Sequence, residues 1–140
     1  MRVMILIKAT KDTEAGVLPD ERLFAEMGKF NEELAKAGLM LAGEGLQPSS
    51  KSARVVCANG KRTVIDGPFA ETRELVCGYW MWKVKSMEEA IDWVKRCPNP
   101  HGGDFEIEIR PLYEMEDLGP GYTEEIKDKE QQLRKQLATK

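Results

Sequence analysis

The feature that most constrains the fold of this 140-residue chain is the dipeptide Asn59-Gly60, which separates two extended runs. Residues 54–58 precede it and residues 61–65 follow it, and both runs are rich in β-branched side chains. A two-residue turn that matches the twist of its strands needs positive φ at both central positions, which Asn and Gly tolerate best. The sequence therefore predicts a tight β-hairpin at this point.

Before the hairpin, the chain contains one strand-like run and one helical period. Residues 2–8 are almost continuously aliphatic, which is typical of a central strand. Residues 10–19 form a polar connection that can fold over an adjacent cleft. From Asp20 to Gly38, apolar residues recur every three or four positions, so a capped helix with one apolar face is predicted. The apolar stripe consists of Leu23, Met27, Phe30 and Leu34.

The other elements complete a pattern of strand, helix, strand, hairpin, strand, helix and strand. Residues 39–42 and 76–84 have the composition of strands, and residues 105–112 alternate apolar with charged side chains. Ser86 opens a capping box and predicts a helix that turns Ile91 inward. This order predicts an α+β fold whose antiparallel sheet carries the helices on one face.

The opposite face of such a sheet also needs a cover. Trp80, Trp82 or their neighbours would otherwise form a large exposed apolar patch, which monomers rarely carry unless it is an interface or a ligand site. We therefore expect a homodimer in which two sheets stack and enclose a shared cavity. The two tryptophans can line such a cavity or pack in the core.

Composition excludes several classes of protein. The net charge is −3 and there is no local basic stripe, so no nucleic-acid partner is expected. The cysteines Cys57, Cys77 and Cys97 are odd in number and far apart, which is typical of reduced thiols in a cytoplasmic protein. The longest aliphatic run near the start is too short for a signal peptide, so neither export nor a membrane span is expected.

Residues 66–74 bring three carboxylates and an arginine together beside a Gly-Pro pair, and no other segment is so dense in ionisable groups next to residues with special backbone preferences. One interpretation is structural, because an Asp-Gly-Pro sequence favours a turn. The other interpretation is catalytic. Carboxylates crowded in a partly dry cleft raise the pKa of at least one of them, which can then act as a general acid or base near neutral pH. The catalytic candidates are Asp66, Glu71 and Glu74.

The same segment supplies most of the candidates for ligand binding. An arginine beside the cleft can hold an anionic group of a substrate. A loop that contains the only histidine can border the same cleft, with that histidine bonded to backbone carbonyls. The candidate ligand-binding residues are Gly67, Pro68, Phe69, Arg73, Arg110 and His101.

No metal or cofactor is expected. Cys97, His101 and Asp104 lie close in sequence, but one histidine without a second nearby cysteine is a poor zinc site. Cys97 follows the end of a predicted helix, where the helix dipole raises a thiol pKa and so disfavours a nucleophile. The phosphate-binding glycine loop, the dinucleotide fingerprint and the nucleophile elbow are all absent from the sequence.

Beyond residue 113 the composition changes to a charged C-terminal extension. Residues 1–113 are expected to form the α+β domain, and residues 114–140 the extension. Thr123 can cap a helix in which Glu125 and Glu130 each stand four residues before a basic partner. This helix is either solvated and weakly docked or an arm that holds a partner subunit.

Several segments, in order, resemble the DGPF-domain or YCII-related family. They are Asp66-Gly67-Pro68-Phe69 and residues 70–72, 31–34, 43–48, 89–93, 97–98 and 108–111. The resemblance implies a ferredoxin-like dimeric α+β barrel, found in bacterial proteins whose reactions are mostly unassigned. The family's recurrent aspartate corresponds to Asp66. Its recurrent histidine falls on the first helix, where this chain has residues such as Met27 and Phe30.

Two classes of function follow from these observations. The first is binding of a small, partly apolar molecule in a cleft at the Asp66 loop, with cofactor-free isomerisation, elimination or hydrolysis as its enzymatic version. The second is a non-catalytic sensor or partner-binding module. Genes of the family often lie near those of alternative sigma factors, so the resemblance implies a regulatory or stress link. The barrel shape is also shared with small monooxygenases.

Overall fold

The computed structural model describes residues 1–99 and 103–139. Six strands and four α-helices follow one another along this described part of the chain. They are β1 (Arg2–Lys8), α1 (Lys11–Glu14), α2 (Glu21–Lys36), β2 (Met40–Gly45), β3 (Ala53–Ala58), β4 (Lys61–Asp66), β5 (Val76–Lys83), α3 (Met87–Val94), β6 (Ile107–Pro111) and α4 (Glu124–Ala138).

Four of the strands form one antiparallel sheet in the order β2-β5-β1-β6. β1 is paired along both edges, as its aliphatic run predicts. The α+β class and the antiparallel sheet are confirmed, and the order of elements is consistent with a ferredoxin-like fold. Asp20 caps α2 by accepting from the Leu23 amide at 2.9 Å, and Gly38 follows the helix with φ +76°.

The core lies between one face of the sheet and the helices α2 and α3. Val3 and Ile5 of β1 and Trp80 and Trp82 of β5 turn toward it, and Phe30 of α2 packs among them. The Phe30 ring meets the Trp80 ring edge to face, with 5.7 Å between centroids. The two tryptophans are therefore core residues and do not line the opposite face.

The prediction for α3 is wrong at Ile91. This residue is 39% exposed, whereas Ala90 is fully buried and Trp93 and Val94 pack against the core. The helix has only eight residues, and its buried face runs through positions 90, 93 and 94. Ile91 lies about 100° around the helix from Ala90, which turns it toward solvent.

The other face of the sheet, which we call the open face, presents a second set of apolar side chains. Because side chains alternate along a strand, this set comes from the positions next to the tryptophans, whose own side chains face the core. Cross-strand pairing places Met4 beside Met81 and Leu6 beside Tyr79. All four are half-buried, and the described residues place no helix of the core over them.

The hairpin β3–β4 is confirmed. Asn59 and Gly60 have φ of +52° and +73°, as the turn requires. The two strands form a sheet of their own, not hydrogen-bonded to the main sheet, and every residue of both strands is exposed.

The helix α4 forms where Thr123 caps it, by accepting from the Ile126 amide at 3.4 Å. Glu125 pairs with Lys129 at 3.5 Å and Glu130 with Arg134 at 2.7 Å. None of its described residues is buried. Within the described residues, no helix has both the length and the apolar character to cross a lipid bilayer.

Candidate functional site

A cavity of about 120 Å³ lies at the C-terminal end of β1, where the chain leaves the sheet. Its wall combines apolar side chains with a cation, carboxylates and a thiol. The residues that define it are Ile7, Lys8, Asp12, Thr13, Cys77, Asp104 and Phe105. The polar connection after β1 therefore does fold over a cleft, as its composition predicts.

A β-bulge turns Cys77 toward this cavity. Ile7 pairs with Gly78 and Lys8 pairs with Val76, so Cys77 is the extra residue on β5. Bulges re-aim side chains in this way and are common beside active sites. The Cys77 thiol lies 3.6 Å from the Lys8 carbonyl. Burial is the main cause of its raised pKa, so the cavity holds a neutral thiol at neutral pH.

The positive charge on the cavity wall comes from Lys8. Its ammonium group lies 3.4 Å from Glu108, and only 15% of its side chain is exposed. Glu108 also accepts from Arg110 at 3.2 Å, and both cations lower its pKa. Arg110, a predicted ligand contact, is thus connected to the cavity through one carboxylate.

The polar connection after β1 contains the short helix α1, which begins with a reciprocal cap. The Thr13 amide donates to the Thr10 hydroxyl oxygen at 3.2 Å, and the Thr10 amide donates to the Thr13 hydroxyl oxygen at 2.8 Å. Asp12 and Thr13 face the cavity from this helix. The side chain of Glu14, the next residue, does not line the cavity and accepts hydrogen bonds from Ser49 instead.

Glu14 and Ser49 anchor the Asp66 loop to the body of the protein. The Ser49 hydroxyl donates to Glu14 Oε2 at 2.5 Å, and the Ser49 amide donates to Glu14 Oε1 at 3.1 Å. The same hydroxyl oxygen accepts from the Phe69 amide at 3.0 Å. Ser49 is a buried polar residue. Sequence analysis missed both Glu14 and Ser49. Glu14 lies 35 positions before Ser49, and Ser49 lies 20 positions before Phe69.

The backbone of the loop approaches Ser49 closely at Gly67. A Cβ atom on Gly67 would stand 1.7 Å from the Ser49 carbonyl oxygen. The Gly67 amide donates to the Ser52 carbonyl at 2.9 Å, and the peptide bond to Pro68 is cis. Next to it, the Arg54 guanidinium lies 3.7 Å from the centre of the Phe69 ring. Gly67, Pro68 and Phe69 therefore have clear structural roles.

The predicted catalytic carboxylates lie at the surface of a single chain. Asp66, Glu71 and Glu74 are all exposed, as is Arg73. Within the described residues, none of these four side chains has a hydrogen bond or an ion pair. A single chain thus does not form the predicted partly dry cleft around them. His101 lies outside the described residues.

A second depression, of about 270 Å³, lies beside the C-terminal extension. Its lining includes Arg2, which pairs with Glu114 at 3.1 Å, and Arg134, which pairs with Glu130 at 2.7 Å. These cations are already neutralised by the protein itself. Within residues 1–99 and 103–139, no three His, Cys, Asp or Glu side chains are grouped so that they could bind a metal ion.

Cys97 is half-buried against the core, and burial raises its pKa to about 11. The predicted direction is confirmed, with burial as its cause. At about pH 8 its thiolate fraction is about a hundredth of that of a thiol with the ordinary value of 9.0. We therefore expect iodoacetamide to modify Cys57, which is exposed in one chain, before the half-buried Cys97, whose rate should be lower by at least about tenfold.

Peptide mapping by mass spectrometry over a time course measures the modification at each cysteine. The Cys97 rate should continue to rise as the pH approaches 11. Equal Cys97 rates in the folded and the urea-unfolded protein would show that Cys97 is not protected.

Comparison with known proteins identifies relatives of the chain. The model of the YCII-related domain matches residues 1–116. An uncharacterised protein of Rhizobium meliloti (strain 1021) is 30% identical over 93 residues, which are 66% of this chain and 75% of that protein.

Proposed function

The chain belongs to the YCII-related family, and from this premise we propose that it binds a small, partly apolar molecule in the cavity at the end of β1. The observation that carries the proposal is the composition of the cavity wall. Ile7 and Phe105 offer apolar contact, while Lys8, Asp12 and Asp104 offer charged groups that orient a ligand. An apolar pocket with a few convergent polar groups is the usual form of a ligand site.

The size of the cavity limits the ligand. About 120 Å³ is well below the roughly 300–1,000 Å³ that is common for larger ligands. The ligand within one chain is therefore a molecule of few non-hydrogen atoms. A larger ligand needs walls from a second chain.

We place the protein in the cell as a cytoplasmic homodimer. Stacking of two open faces, each with Met4, Leu6, Tyr79 and Met81, covers apolar surface and closes a barrel of two sheets. Its three cysteines are all free thiols, which supports a reducing compartment.

The enzymatic version of the proposal keeps the predicted cleft at the Asp66 loop, whose residues do not line the cavity at the end of β1, and it depends on this dimer. Asp66 ends β4, and Glu71 and Glu74 follow within the next turn, all exposed in one chain. Cover from a partner subunit removes water from carboxylates and raises their pKa. Acid or base catalysis of isomerisation, elimination or hydrolysis by Asp66, with Glu71 or Glu74, then operates without a cofactor.

Native mass spectrometry of the freshly purified protein tests the binding function. We expect a dimer that carries an added small-molecule mass. The variant Asp104→Trp, which places a large ring at the wall of the cavity, should lose that mass. The matched control is Glu106→Trp, two positions away on an exposed residue that does not line the cavity. It loses the same charge and gains the same ring, and it should retain the mass.

If the wild-type protein carries no mass, a set of small carboxylic acids, amines and phenols provides the probes. Saturable line broadening in ligand-observed NMR, lost in Asp104→Trp and retained in Glu106→Trp, supports the cavity as the site. Absence of binding by every probe, together with an empty purified protein, would refute the proposal.

A sensor or partner-binding module is the second candidate function. The feature that favours it is the apolar edge of α4, where Ile126, Leu133 and Leu137 are all exposed. An amphipathic helix with an uncovered edge fits the groove of another protein. One result would favour the module over the enzyme: saturable binding of a protein, without turnover of any small molecule. That binding should be lost when the apolar residues of this edge are replaced by charged ones.

A further inference from the structure

We propose that the hairpin β3–β4 is an arm that packs against a second copy of this chain. This inference rests on the homodimer of the proposed function and adds a contact that stacking of the sheets alone does not supply. The arm consists of Ala53–Ala58, the Asn59-Gly60 turn and Lys61–Asp66.

The first observation is that the arm lacks cover from its own chain. All twelve residues of its strands are exposed, and its hydrogen bonds run only between the two strands. A two-stranded hairpin that is isolated in water is marginally stable at best. The arm is joined to the body at its base, where Gly67 donates to Ser52 and Arg54 stacks on Phe69.

The second observation is that both faces of the arm are apolar. On one face Val55 and Val64 stand directly opposite each other and are 60% and 63% exposed. On the other face Val56 and Ile65 are 40% and 46% exposed. β-Branched side chains on both faces of a hairpin are typical of a strand pair that is covered on both sides.

The area of the open face identifies a second copy as the occupant. Four strands of about six residues project roughly 380 Å², from about 4.8 Å between strands and 3.3 Å per residue. A stable interface buries about 800 Å² of accessible surface on each partner, so a contact of this projected size gains from further area. Each face of the arm projects roughly 200 Å² more, and two arms in a two-fold arrangement bring the contact close to the usual size.

The charges on the arm also favour contact with a second copy of the chain. Three cations, Arg54, Lys61 and Arg62, stand on the arm against one carboxylate, Asp66. Within the described residues, Lys61 and Arg62 have no ion pair. The carboxylate of Glu44 on β2 points to the open face beside Tyr79, and it also has no ion pair in the described part of the chain. The arm of one copy and the β2 edge of the other copy's sheet are thus complementary in charge.

The test compares two variants on neighbouring residues of β4. Val64→Lys places a charge on the Val55 face of the arm. Thr63→Lys places the same charge on the opposite face, which carries Val56 in the paired position. Both residues are exposed in one chain, so neither change removes a core contact. Sedimentation equilibrium over a range of micromolar concentrations gives the dimer dissociation constant for each full-length variant.

We expect Val64→Lys to raise the dimer dissociation constant by about 100-fold, the size of a hot-spot loss. Thr63→Lys should raise it less, because the face with Val55 and Val64 is the more exposed of the two in one chain and has more surface to bury. Circular dichroism should show that both variants keep the wild-type fold. Cys57 lies on the same face as Val55 and serves as a probe. Its alkylation rate in the wild-type protein should fall as the concentration rises through the dissociation constant.

The outcomes separate this inference from the proposed function. If the wild-type protein is a monomer at every concentration, the homodimer itself is refuted, and the arm contact with it. If the protein is a dimer whose dissociation constant is unchanged in Val64→Lys and whose Cys57 reacts equally fast at all concentrations, the arm does not contact the partner. In that case the dimer of stacked sheets and the cavity still stand.

Discussion

Replacing Gly67 with alanine should lower the free energy of unfolding by about 3 kcal/mol and the melting temperature by roughly 10 °C. The added Cβ would stand 1.7 Å from the Ser49 carbonyl oxygen and 2.7 Å from its carbonyl carbon. Both atoms belong to the backbone of a buried residue, so no flexible side chain can move aside. The loop must shift, which costs the bond from the Gly67 amide to Ser52. Urea denaturation followed by tryptophan fluorescence measures the loss.

Gly28→Ala is the matched control for this prediction. Gly28 lies within α2, and a Cβ there would meet nothing within 4 Å. Alanine is the better helix former, so this variant should gain about 0.5–1 kcal/mol. The same chemical change thus has opposite signs at the two glycines. A Gly67→Ala protein as stable as the wild type would mean that the loop does not approach Ser49 as described.

Ser49→Ala should cost about 2 kcal/mol. The single hydroxyl group donates to Glu14 and accepts from the Phe69 amide, so its removal leaves two polar groups without that partner. The Glu14 carboxylate keeps the Ser49 amide, which limits the loss. Because the Phe69 amide is held by this one bond, its hydrogen exchange should accelerate more than that of the amides within β1.

Ser50→Ala provides the control. Ser50 is the next residue and is exposed, and its side chain has no hydrogen bond in the described part of the chain. Its replacement should change stability by less than about 0.5 kcal/mol. If Ser49→Ala were equally harmless and the Phe69 amide kept its protection, the Asp66 loop would be held by something other than Ser49.

The contacts tested by Gly67→Ala and Ser49→Ala also bear on the role of Asp66. The Asp-Gly-Pro turn has a complete structural explanation in the contacts of Gly67 and Phe69 with Ser49. That explanation does not use the Asp66 carboxylate, which is exposed and has no partner in the described residues. Asp66→Asn should therefore leave stability nearly unchanged, and any loss of binding or turnover in it reports on function.

The elements were predictable wherever a short-range signal decides the conformation. The hairpin follows from the preference of Asn59-Gly60 for positive φ, and both residues adopt it. The start of α2 follows from the Asp20 side chain, which bonds an amide three residues ahead. The central position of β1 follows from side chains that are apolar on both faces. Each of these signals operates within a few residues of its effect.

The site was less predictable because its contacts cross the chain. Glu14, Ser49 and Phe69 come from three separate segments, and no pattern in any one of them indicates the others. Conversely, Asp66, Glu71 and Glu74 are near in sequence, yet each of them is exposed. A short 3-10 segment, Thr72–Glu74, follows the turn, and closeness in sequence did not bury these carboxylates.

The sequence by itself thus determined the turns, the caps and the class of the fold, because these depend on local backbone preferences and on the period of apolar residues. It also determined the family, through motifs spread in order along the chain. Only the tertiary structure decided that Trp80 and Trp82 are core, that a bulge aims Cys77 at a cavity, and that Ser49 holds the Asp66 loop. Those features depend on which segments meet when the sheet assembles, and packing between distant residues leaves no local signal.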